Sequence, residues 1–134
     1  MNPFRLPILL LVLLPGLVAA AAPSVVCHTT YGGETHAHRV RPVALPYGVE
    51  AVPIGSHFLF KPVVEIAPAG LSAVKIYTYA DLDHGPVPLH QASYPLPLRR
   101  QAGPFGFTGQ QRVYEPRRDS ELEYWCEIAP GGRR

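Results

Sequence analysis

Polar and apolar positions alternate with period two along residues 73–80, where Val74, Ile76 and Thr78 fall on one side of an extended chain and Lys75, Tyr77 and Tyr79 on the other. The same alternation runs through 121–128: Leu122, Tyr124, Cys126 and Ile128 interleave with Glu121, Glu123, Trp125 and Glu127. That window also fits a helix, with Ser120 and Glu123 as a capping box and Leu122, Trp125 and Ala129 on one face. The strand is the better reading, because the stretch is short, carries Tyr and Trp side by side and ends at Pro130. In 24–30 the alternation buries Val25, Cys27 and Thr29 and leaves His28 outside.

Prolines and glycines cut the rest into strand-sized lengths. Sixteen of 134 residues are proline and twelve are glycine, and with the Gly32-Gly33 pair counted as a break only 69–85 and 117–129 leave room for a helix of three turns. The predicted strands are 24–30, 34–43, 49–53, 57–66, 73–80, 87–94, 107–115 and 121–128, with the clearest hairpin turning through Asp81-Leu82-Asp83-His84-Gly85. Hydrophobic residues make up 47% of the chain, enough to pack a core. The expected fold is a single all-β domain: a small antiparallel β-sandwich of immunoglobulin-like architecture, or a partly open barrel. A buried tryptophan between two cysteines at the immunoglobulin spacing is absent.

The N-terminal segment stands apart from this pattern. Arg5 precedes an apolar run from Leu6 to Val18 that closes on four alanines, Ala19 to Ala22, the three-part build of a secretory signal peptide cut after Ala20 or Ala21. Pro7 and Pro15 interrupt the run and no basic flank follows it, so a retained membrane span is not expected. The expected organisation is a leader over 1–21, one domain over 22–130 and a flexible tail over 131–134, in a secreted or periplasmic protein. Export favours pairing of the only two cysteines, Cys27 and Cys126. Such a bridge closes a loop of about 100 residues, for which the chain-entropy model gives about 4.7 kcal/mol at most.

Charge excludes one class of partner. Without Arg5 the chain carries eleven basic and ten acidic residues, two of the basic ones being the terminal Arg133 and Arg134, so nucleic acid is not an expected partner.

Candidate chemistry is sparse. Six histidines include His36-Ala37-His38, whose rings share one face of a strand and suit Zn(II) or Cu(II) if a third ligand arrives from elsewhere. Glu34 shares that face, His28 is a possible neighbour, and the competing reading is a pair of solvent-facing histidines whose joint replacement by alanine costs less than about 0.5 kcal/mol. Met1 is the only methionine, so Cu(I) is disfavoured. Asp81 to Gly85 resembles the opening of a calcium loop but is followed by Pro86-Val87-Pro88, and reads as a turn. Glu121 and Glu123 read as the solvated face of an edge strand. Ser56 and His57 are adjacent and point to opposite faces of a strand, and no nucleophile elbow, phosphate loop, dinucleotide fingerprint or zincin motif occurs. No catalytic residue and no cofactor is therefore assigned. Tyr77, Tyr79 and Trp125 each oppose a buried face and are candidates for a surface that meets a protein or glycan partner. The expected function is an exported binding or accessory module, with a divalent-metal binder second and a small hydrolase third.

Overall fold

The computed structural model describes residues 23–99 and 103–129, together with Val12, Pro15 and Gly16 as isolated positions ahead of them. The rest of the expected leader, and the expected tail at 131–134, lie outside the described residues.

Nine strands occur among the described residues: β1 Val25–Tyr31, β2 Glu34–Val40, β3 Pro42–Val43, β4 Val52–Ile54, β5 Phe58–Glu65, β6 Ala73–Leu82, β7 Gly85–Pro95, β8 Gln111–Glu115 and β9 Ser120–Ile128. One turn of 3₁₀ helix, Pro46–Gly48, is the only helical element among them. Four strands form a sheet in the order β2-β1-β9-β8. The other five form a second sheet in the order β3-β5-β6-β7, with β4 also pairing β5. All neighbours are antiparallel except β3 and β5. The chain makes the β1–β2 hairpin, crosses to the second sheet for β3 to β7, and returns for the β8–β9 hairpin. Along both sides the sheets face each other without a shared ladder, so the architecture is a sandwich rather than a barrel.

The window 34–43 breaks into two strands in different sheets. Pro42 has no N–H to donate, so the ladder with β1 stops at Val40, paired with Val25, and Pro42–Val43 joins β5 instead. The piece at 107–115 contracts to β8 because Phe107 and Thr108 dock on β9 through other bonds: the Phe107 N–H donates to the Cys126 carbonyl at 3.0 Å, and the Cys126 N–H to Thr108 Oγ1 at 2.9 Å. Gly106, at φ 60°, makes this approach possible, since a Cβ there would overlap the Cys126 carbonyl. The β6–β7 turn narrows to Asp83 and His84, with Leu82 paired to Gly85. The window with two templates is a strand.

Alternation sets the core. Val25 and Cys27 of β1, Phe58, Phe60 and Val64 of β5, Val74 and Ile76 of β6, and Leu122, Tyr124 and Cys126 of β9 all have 0% exposure and pack between the sheets. The rings of Phe60 and Tyr124 meet across the layers at 5.3 Å. Cys27 and Cys126 are bonded, and they are direct cross-strand partners with Cα atoms 4.0 Å apart. Because Cys126 turns its N–H and carbonyl toward Thr108 and Phe107, the two cysteines form a non-hydrogen-bonded pair, the narrower of the two antiparallel spacings.

Candidate functional site

The outer face of the five-stranded sheet carries Tyr77 and Tyr79. Both lie on β6, two residues apart, with rings inclined by 15° and centroids 6.5 Å apart. Register places Lys61 of β5 and Gln91 of β7 on either side of Tyr77, and Leu59 and Pro88 on either side of Tyr79. Lys75 completes the row and donates to Glu65 Oε2 at 2.6 Å, a bond that raises its pKa above the ordinary lysine value. The two lysines of the chain, Lys61 and Lys75, therefore share this face, and Lys61 is in no ion pair among the described residues. Tyr47, 92% exposed, stands near Lys75. A partly exposed pair of parallel rings beside an ammonium and an amide offers stacking surface together with hydrogen-bond donors.

Trp125 lies on the outer face of the opposite sheet, so the three aromatics expected at the surface do not form one patch. Its ring stacks on His28, its cross-strand partner, at 4.0 Å and 15°, and Phe105 meets it edge-on at 6.0 Å. Those two contacts engage its ring. Glu121 and Glu123 share this face, yet β9 is an interior strand, and both carboxylates approach Arg112 of β8, at 3.8 and 3.4 Å. The edge-strand account of these glutamates is thereby corrected.

His36 and His38 lie on one face of β2, as expected, and that face is the inward one. Register pairs His38 with Cys27 and His36 with Thr29, both buried. His38 is half-buried, its Nε2 2.8 Å from Thr29 Oγ1 and its ring 5.7 Å from Phe60. Burial lowers its pKa, and the nearby rings of His36 and His28 lower it further. His36 remains open, with Nε2 3.5 Å from Glu34 Oε2. His28 projects from the opposite face and joins neither ring. Among the described residues no group of three or more His, Cys, Asp or Glu side chains is gathered for a metal ion. Replacing His38 also leaves the buried Thr29 hydroxyl without its ring partner, so the double alanine change is expected to lower stability.

At the hairpin end of the sandwich the structure assembles a cluster that adjacency in sequence did not reveal. His57 Nδ1 meets Ser120 Oγ at 2.6 Å and Tyr31 Oη at 3.2 Å, rather than its neighbour Ser56. Beside it, Glu115 is 1% exposed and accepts from the backbone N–H groups of Arg117 and Arg118 and from Arg118 Nε, at 2.7, 3.2 and 2.8 Å. The Arg118 contact is the main reason its carboxyl sits below the ordinary glutamate pKa. Arg118 also donates to the Ser56 and His57 carbonyls. These bonds tie the β8–β9 turn to the β4–β5 turn. The Glu115 carboxylate is engaged by Arg118 and backbone N–H groups, so the His57–Ser120 contact lacks the orienting acid of a nucleophilic triad. Its partners come from β1, the β4–β5 turn and β9, a convergence without a local spacing signal.

Taken together, the described residues define a disulfide-clamped β-sandwich of two sheets. Compared with family models, with curated proteins and with solved structures, the chain finds no match.

Proposed function

We propose that the protein is an exported binding or accessory module, secreted or periplasmic and without catalytic activity, whose working surface is the Tyr77–Tyr79 face. The observation that carries this reading is the parallel, partly exposed tyrosine pair flanked by Lys61 and Gln91 on the outer face of the five-stranded sheet. Parallel rings stack on the apolar faces of sugars, and the ammonium and amide donate to hydroxyl or carboxylate oxygens, so the partner class is a glycan, with uronate-bearing chains favoured by the unpaired Lys61. A leader-like N-terminus and a buried disulfide support export. The test is affinity electrophoresis of the purified protein in gels cast with a neutral glucan or with a polyuronate. Retardation by the polyuronate that disappears in the double variant Tyr77→Ala with Tyr79→Ala, at unchanged melting temperature, supports the reading. Equal mobility of both proteins in every gel overturns it.

A divalent ion, Zn(II) or Cu(II), at His36 and His38 is the second reading. It is favoured by one observation: both rings make their contacts through Nε2, with Thr29 Oγ1 and Glu34 Oε2, which leaves both Nδ1 atoms without a hydrogen-bond partner among the described residues. Zinc titration followed by calorimetry tests it, with stoichiometric binding tighter than micromolar and lost in His36→Ala as the supporting result.

A further inference from the structure

The turn between β6 and β7 and the turn between β8 and β9 stand side by side, and two hollows open between them. One, of about 260 Å³, is lined by Asp81, Leu82, Asp83, His84, Arg117 and Arg118. The other, of about 290 Å³, is walled mainly by apolar groups, among them Ala80, Val87, Leu89 and Pro116. Leu82, His84 and Arg117 line both, so the two are halves of one cleft, charged at one end and apolar at the other.

The charges in the polar half are arranged unusually. Arg118 is committed to Glu115 and to two carbonyls. Asp81, Asp83 and Arg117, by contrast, form no ion pair among the described residues although they border the same hollow. The turns that carry them are anchored: the Arg117 backbone N–H is bonded to the buried Glu115, and Asp81 N–H donates to the His57 carbonyl at 2.9 Å. Opposite charges kept apart across a cleft, with an apolar recess beside them, complement a small ligand that carries both charges and an apolar side chain.

We infer that this cleft binds a free α-amino acid with an apolar side chain. Arg117 takes the carboxylate, Asp83 takes the ammonium, and the side chain lies among Val87, Leu89 and Pro116. This site lies at the hairpin end of the sandwich and is independent of the tyrosine face, so either can fail without the other.

Calorimetry of the intact, disulfide-bonded protein with L-leucine tests the inference, using leucinamide, which lacks the carboxylate, and N-acetyl-leucine, which lacks the ammonium, as probes. Leucine should bind, and each blocked derivative should bind about tenfold more weakly, because each loses one charge-assisted contact. Arg117→Gln should weaken leucine about tenfold and leave leucinamide unchanged, while Asp83→Asn should weaken leucine and leave N-acetyl-leucine unchanged. Both positions lie at exposed turns, and a melting curve shows that each variant is folded. No binding of leucine at millimolar concentration, or variants that bind all three probes as the parent does, would overturn it.

Discussion

Gly55 is fixed by two constraints at once. Its φ of 58° lies in the left-handed region, and a Cβ at this position would overlap the ring of Tyr31, which in turn reaches His57. Gly55→Ala is therefore expected to lower stability by about 1–3 kcal/mol, measured as a shift of the urea midpoint at constant slope. His90 is a second residue whose surroundings dictate behaviour. Its Nε2 lies 2.7 Å from Tyr124 Oη, Thr78 is its cross-strand partner, and burial lowers its pKa from 6.5. Tyr124 beside it has its pKa raised, first by burial and then by Tyr94. In the unfolded chain the ring takes up a proton near its ordinary value, whereas in the fold it does so only at lower pH. Stability contributed by neutral His90 is thus complete above about pH 6.5 and declines as pH falls below it. His38, lowered in the same direction, adds to the decline. Urea midpoints should fall between pH 7.5 and 5.5, and less steeply in His90→Gln; identical slopes for the two proteins would remove His90 from the account.

At the scale of elements, what was legible in the sequence was whatever depended on local alternation. β6 exposes and buries the residues that its period-two pattern predicts, and β9 resolves its two templates as a strand because Tyr124 and Cys126 pair across to Thr29 and Cys27. What was illegible depended on distant partners. The switch of Pro42 from one sheet to the other, the inward orientation of the His36 and His38 face, and the meeting of His57 with Ser120 are set by which strands become neighbours. The joint of the molecule is the β1–β9 ladder, where the disulfide is a single rung. Replacing both cysteines by serine should cost about 2–5 kcal/mol, since the bridge spans 99 residues and both side chains are fully buried. Thermal melting of the double variant checks this, and a change below 1 kcal/mol would assign the clamp to the ladder alone.

For the whole molecule, the sheet edges differ in how they are protected. β7 carries Pro86, Pro88 and Pro95, β8 is five residues long, and β3 and β4 share the far edge of β5 with Pro42 and Pro53. β2 alone among these edge strands is seven residues without proline, and its guard is polarity, in Glu34, Thr35, His36 and Arg39. The two proposed surfaces lie on a side and at an end of this body, so they can be occupied together.

The antiparallel pairing of the first and last strands has a mechanical consequence. Val25 sits opposite Ile128, and the Ala129 N–H reaches the Ser24 carbonyl at 2.8 Å, so a load applied to the two ends pulls this ladder open one rung at a time, as a zipper opens. Only Val25–Ile128 and Val26–Glu127 stand before the covalent rung at Cys27–Cys126. Beyond that rung the force passes through the sulfur atoms and bypasses everything between. In single-molecule stretching the oxidised protein should therefore lengthen by only a few residues, and the reduced protein should release in addition the 99-residue interval between its cysteines. A tether at the cell surface built on this domain would hold its sandwich, and any ligand on it, unloaded while the ends are pulled.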